Sequence, residues 1–140
     1  MTTGKPTEIV VLGGGVGGLA AARKLDSLIG HRPDVNITLI SRDNFFLLSP
    51  LLFEACSGVL ELRHCAQPIR PCLKRVRFIE GTVRHVDVEQ RLIRVAVAEG
   101  EPRVLAFDHV IVGLGAPTNV SVIPGSEDAG AFKTVADALL

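Results

Sequence analysis

The chain has 140 residues, 47% of them hydrophobic, and its 15 acidic residues balance 15 basic ones. That size bounds it to about one domain, able to bury roughly two-thirds of its unfolded surface, and the charge balance argues against a nucleic-acid groove or a polybasic membrane patch. No stretch approaches the roughly 20 apolar residues that span a bilayer, and residues 1–8, MTTGKPTE, lack the apolar core of a signal peptide, so a cytoplasmic location is expected.

Residues 8–12, EIVVL, predict a strand apolar on both faces, as a buried parallel strand requires. Residues 16–29 predict a helix, with Leu19, Ala22, Leu25 and Ile29 recurring at helical spacing and Gly30 and Pro33 ending it. Residues 36–40, NITLI, predict a second β-branched strand, completing a right-handed βαβ unit. The strongly apolar but irregular SRDNFFLLSPLLFEACSGVL (41–60) is expected to cover a flat oily surface. A short helix is predicted over 66–75, with Pro68 in its first turn, and a third parallel strand over 76–80. The pattern then changes to three short strands, 82–88, 92–98 and 103–107, separated only by EQR and EGEP. Such short links join antiparallel neighbours, so a β-meander is predicted, with Ile93, Val95 and Val97 alternating inward. Residues 108–113, DHVIVG, return to a buried strand and open a second glycine turn, GLGAPTN; IPG at 123–125 is a further turn, and 134–140 starts a helix. The fold class is α/β, a Rossmann-like domain with a parallel sheet and a β-meander crossover.

Gly13, Gly15 and Gly18 fit G-x-G-x-x-G between a strand and a helix, the context that gives this motif its meaning. Gly13 permits the tight turn, Gly15 lets a pyrophosphate approach the backbone, and Gly18 lets the helix pack on the strand. Free amides at the helix start, at the positive end of its dipole, attract phosphate oxygens. The usual ribose-binding acid at the end of the second strand is here Ser41, followed by Arg42 and Asp43. Serine still offers one hydrogen bond, Asp43 could substitute if the strand continues, and a small residue followed by Arg is one way to accept the 2′-phosphate of NADP. The motif alone therefore leaves FAD, NAD and NADP open, as well as a glycine turn with no ligand.

The order of a βαβ unit, a meander and a returning parallel strand with a second glycine turn resembles the FAD domain of the two-dinucleotide-binding flavoproteins. Within them, VVLGGGVGGLAAARKL, ITLISRDNFFLLSPLLFEACSGVL, AQPIR, VIVGLGAPTNVSVIPG and AFKTVADAL together resemble the type II NADH dehydrogenases, which reduce quinone through FAD. The resemblance implies that Gly13, Gly14, Gly15, Val16, Gly17 and Gly18 hold the FAD pyrophosphate, and that Ser41 and Arg42 lie near the adenosine ribose. It places Pro50, Leu51 and Leu52 near the flavin ring, pairs the backbone of Val83 with the adenine, and brings Gly113 and Gly115 to the cofactor. Ser41 and the sequence VGLG at the second turn depart from the family pattern. The C-x-x-x-x-C of disulfide reductases is missing and Cys56 stands alone in that neighbourhood, which argues against thiol-disulfide exchange. Electrons would pass from NADH through flavin to quinone without a protein nucleophile.

The family is considerably longer. The resemblance thus implies that residues 1–140 are the N-terminal part of an FAD-binding domain, without the NADH domain and the C-terminal part that docks the full-length protein on the cytoplasmic face of the inner membrane. Such a fragment is expected to bind FAD weakly, to be inactive towards NADH, and to expose apolar surface around 45–52. Competing readings are a sulfide:quinone reductase-type flavoprotein, which shares the glycine turn and the Leu39-Ile40-Ser41 strand end, an NADP-binding module, and a non-catalytic nucleotide-binding remnant. His31, His64, His85 and His109 are scattered without ligand spacing, so no metal site is expected. Cys65 and Cys72, seven apart, could share a helix face as plain thiols; Asp87, Glu89 and Arg91 read as a solvated hairpin turn, and Ser57 lies outside any G-x-S-x-G elbow.

Overall fold

The computed structural model describes residues 4–98, 100–116, 119, 124–125, 132–135 and 137. In chain order its elements are β1 (Thr7–Leu12), α1 (Val16–Ile29), β2 (Val35–Ser41), β3 (Phe45–Leu47), α2 (Leu52–Cys56), β4 (Ala66–Pro68), β5 (Arg77–Glu80), β6 (Thr82–Asp87), β7 (Leu92–Ala96), β8 (Arg103–Ala106) and β9 (His109–Val112). They fall into two compact units, Met1–Asn44 with Pro68–Leu114, and Phe45–Gln67 with Gly115–Leu140.

The first unit is built on a four-stranded sheet of order β5-β2-β1-β9, all parallel. Its inner strand β1 must be apolar on both faces, and Val10, Val11 and Leu12 are almost wholly inaccessible. One face packs on the antiparallel β6-β7-β8 meander: Val10, Leu12, Ile40 and Ile79 meet Ile93, Val95 and Phe107 in one buried cluster. The other face carries α1, where Leu19 and Ala22 are buried. The predicted α1 stripe needs one amendment, because Leu25 and Ile29 are only half-buried while Asp26, a polar residue on the same stripe, is buried. The β6–β7 turn is as expected: the Asp87 carboxylate accepts the Gln90 N–H at 2.8 Å, and Arg91 takes a positive φ of 53°.

Three expectations fail. No helix forms over 66–75; β4 is followed by a 3₁₀ turn at Arg70–Cys72. Pro68 and Pro71 lack N–H donors, and Pro68 disfavours a helical Gln67, which lies in β4; a ten-residue helix cannot absorb both, and only the short 3₁₀ turn that holds Pro71 forms. Cys65 and Cys72 therefore share no helix face; Cys65 is buried and Cys72 half-buried. The 108–113 strand exists as β9, but it is the sheet's edge among the described residues, and Val112 is 67% exposed. An unbroken apolar run marks a strand without saying which side its neighbours cover.

In the second unit β3 pairs with β4, and Leu52 and Cys65 are fully buried, the Cys65 thiol donating to the Leu51 carbonyl at 3.4 Å. The apolar exposure expected over 45–52 lies further along: Phe45 to Leu48 are half-buried, whereas Phe53 and Val59 are exposed. The Phe53 ring stands 4.9 Å from that of Phe132. The helix predicted over 134–140 lies mostly outside the described residues, but its opening has reciprocal capping. The Asp137 N–H donates to Thr134 Oγ1 at 3.2 Å, and Asp137 Oδ2 accepts the N–H groups of Lys133 and Thr134 at 2.8 and 2.7 Å. These backbone donors hold the Asp137 carboxyl below its ordinary value of 3.8. Its contribution to stability is therefore complete above the unfolded value and is lost as pH falls through the lowered folded value. An NMR titration is expected to place the Asp137 midpoint below that of an unstructured aspartate, and Thr134→Ala to move it upward.

Candidate functional site

The C-terminal end of β1 meets the start of α1 at three glycine backbones packed on one another. Gly13 leaves the strand with φ +98°, a conformation that L side chains rarely adopt, and its N–H donates to the Ile40 carbonyl at 2.7 Å. Gly113, at the end of β9, donates to the Leu12 carbonyl at 2.7 Å. A Cβ on Gly13 would stand 2.2 Å from the Gly113 oxygen, one on Gly18 1.8 Å from the Gly13 oxygen, and one on Gly113 3.1 Å from the Gly18 Cα. The first glycine turn and Gly113, the residue that opens the second, are thus one junction.

Gly15 and Gly17 are different. A Cβ on either would meet nothing within 4 Å. Gly15 also has an extended backbone, φ −72° and ψ −172°, which any residue adopts. Neither the space around Gly15 and Gly17 nor the conformation of Gly15 asks for glycine, and glycine inside a helix, as at Gly17, costs about 1 kcal/mol relative to alanine. No side chain caps α1 and no acidic residue sits in its first turn, so its opening amides and dipole end remain available to an anion. Val16, beside them, is 70% exposed.

Gly14 is pressed from behind by two side chains, for a Cβ there would lie 2.6 Å from Ser41 Oγ and 2.5 Å from Ile69 Cδ1. Ser41 ends β2, and its carbonyl accepts the Gly81 N–H at 2.8 Å, which joins the start of β6 to the same corner. The structure therefore brings together Gly13 to Gly18, Ser41, Gly113 and the first residues of β6. Ile69, fully buried, is the supporting residue that sequence reasoning missed; it sat in plain view inside the AQPIR motif. Ile69→Val deletes the methyl that touches Gly14 and is expected to cost about 1 kcal/mol in urea unfolding.

Val83 lies on β6, opposite Val95 of β7 and packed against the core cluster, with a register shift between it and His85. Arg42 is largely exposed and pairs with Asp43 at 3.0 Å, a hydrogen bond that raises the guanidinium pKa. Asp43 does not continue β2: the strand ends at Ser41 and residues 42–44 bend away, so the same-side argument for Asp43 fails. Pro50 and Leu51 sit in a 3₁₀ turn, Ser49–Leu51, of the second unit, Pro50 exposed and Leu51 half-buried. Gly115, also in that unit, takes φ +73° with open space at its Cβ position.

A glycine-rich corner at the C-terminal edge of a parallel sheet, with a helix on one face and a meander on the other, defines the class of Rossmann-type α/β oxidoreductase domains. The pyridine nucleotide-disulphide oxidoreductase family matches residues 7–139, and the chain belongs to that family. It is 33% identical to an external mitochondrial NADH-ubiquinone oxidoreductase of Saccharomyces cerevisiae over 96% of its length, covering 25% of that protein. The structure superposes on NDH2 of Plasmodium falciparum in complex with NADH with a TM-score of 0.80 at 30% identity, covering 96% of this chain and 28% of that one. A sulfide:quinone oxidoreductase of Aquifex aeolicus follows at 0.77 and 25% identity, again over 95% of this chain and 30% of that one. The resemblance to type II NADH dehydrogenases read from the motifs is thereby borne out, with the NADH branch closer in sequence than the sulfide branch. Among the described residues no helix is long and apolar enough to cross a membrane.

Proposed function

We propose that this chain forms the dinucleotide-gripping part of an FAD-binding domain, and that the whole polypeptide passes electrons from NADH to a quinone at a membrane surface. The observation that carries this reading is the contrast within the glycine turn: Gly13 and Gly18 are demanded by the protein's own backbone, whereas Gly15 and Gly17 leave open space beside uncapped amides. A ligand phosphate accounts for both. The amides of Val16, Gly17 and Gly18 would hold the pyrophosphate, the Ser41 hydroxyl would bond a ribose hydroxyl, and the Val83 backbone on the outer meander strand would meet the adenine. Pro50, Leu51 and Gly115 are assigned to the flavin end on the family resemblance alone. When bound, flavin supplies two-electron acceptance from NADH and delivery to quinone; the protein's share is to bind and orient it and to keep water from it.

Because Ser41 replaces an ionised acid by a neutral hydroxyl, and neutral hydrogen bonds are about half as strong as charge-assisted ones, binding to this chain should be weak. Titrating FAD into the chain should give partial, saturable quenching of flavin fluorescence with little competition from NADP. Competition favouring NADP would overturn the flavin reading, and tight stoichiometric quenching would overturn the weak-binding part. Sulfide-dependent quinone reduction by the whole polypeptide would transfer the proposal to the neighbouring branch.

A further inference from the structure

We propose a second anion site, for a phosphate monoester, in the cavity between the later half of α1 and the segment that leads into β5. The cavity has a volume of about 340 Å³ and is lined by Arg23, Asp26, Ser27, Cys72, Lys74 and Arg75, all within the first unit. At 1.5 Å of rise per residue, Arg23 to Ser27 lie about 10–16 Å down the helix from the glycine turn, so this is a different place from the dinucleotide corner.

Charge is the argument. Three cationic residues, all exposed, line the cavity beside one carboxylate, and that carboxylate is already committed: Asp26 is 6% exposed, and its Oδ2 accepts the backbone N–H groups of Lys74 at 3.0 Å and Arg75 at 3.4 Å. Its other oxygen has no partner and is closed off by Gly30, where a Cβ would come within 2.5 Å of it. Asp26 thus pins the Lys74–Arg75 backbone to the helix without pairing their side chains. The ion pairs among the described residues belong to Arg32, Arg42, Arg63 and Arg91, and none includes Arg23, Lys74 or Arg75. The C-terminal end of α1 adds roughly half a negative charge nearby, too little to offset a surplus of two cations. That surplus matches the dianion of a phosphate monoester, with the Ser27 hydroxyl as an added donor, and the volume leaves room for the group that carries the phosphate. The chain's zero net charge conceals this local imbalance.

The monoester could arrive free or as the headgroup of phosphatidic acid, and the test separates the two. Amide chemical-shift mapping of the whole chain with inorganic phosphate, against chloride at equal ionic strength, should move Ser27, Lys74 and Arg75 as a set distinct from Gly15 to Gly18. Lys74→Gln with Arg75→Gln should weaken the first set's response by about tenfold or more and leave the second unchanged, and Arg23→Gln should weaken it from the helix side. Vesicles of phosphatidylcholine doped with phosphatidic acid should retain the chain, and plain phosphatidylcholine should not, if the lipid form is the occupant. Saturation by phosphate without vesicle retention assigns the free form. If Lys74 and Arg75 respond to neither ligand, respond equally to chloride, or respond unchanged in the variants, the site does not exist, whatever becomes of the flavin reading.

Discussion

Gly18→Ala should cost the protein at least about 3 kcal/mol, the upper end of what overpacking usually exacts. The new methyl would stand 1.8 Å from the Gly13 carbonyl oxygen, and both clashing groups are backbone, with no rotamer to turn aside. Relief requires α1 to move off β1, which would expose Leu19 and Ala22. Gly13 cannot yield either, since it lies against Gly113 and is held by a bond to Ile40. Urea unfolding followed by circular dichroism would measure the loss. A midpoint unchanged from that of the parent chain would mean that the three backbones do not approach one another as described.

Gly15→Ser should do the opposite to the fold and far worse to the ligand. Gly15 is the N-cap of α1, in an extended conformation with nothing near its Cβ position, and serine is a better cap than glycine by a few tenths of a kcal/mol. The chain without ligand should be as stable as the parent or slightly more so. The same side chain would stand where the pyrophosphate must approach and would engage the amides meant for it, so FAD affinity should fall by at least about a hundredfold, the lower bound for losing two charge-assisted hydrogen bonds. Flavin fluorescence titration beside urea unfolding reads both effects. Undiminished FAD binding would remove the ground for assigning the open glycines to a phosphate.

The sheet was legible because its strands are nearly unbroken apolar runs and its helix has a regular stripe. EIVVL, NITLI and the short EQR link admit few arrangements. What escaped lay in questions a linear string does not pose. Five glycines in six positions look alike until their neighbours are placed, and only then do Gly13 and Gly18 separate from Gly15 and Gly17. Asp26 carried a signal, a charged residue beside an apolar stripe, but its partners lie 48 and 49 residues away. The helix expected over 66–75 fails because Pro68 suits a first turn, whereas Pro71, three residues on, would fall in the helix interior.

The Ile69 N–H donates to the Asn44 carbonyl at 2.9 Å, so two residues of the first unit that flank the 45–68 stretch are clasped to each other. Closing such a gap with a shorter or longer insert changes the ordering cost by only about 0.6 kcal/mol per doubling of length. The length of the stretch between the clasped residues is therefore open to variation at little entropic cost, whereas replacing it outright would forfeit the Phe53–Phe132 contact and the flavin-end roles proposed for Pro50 and Leu51.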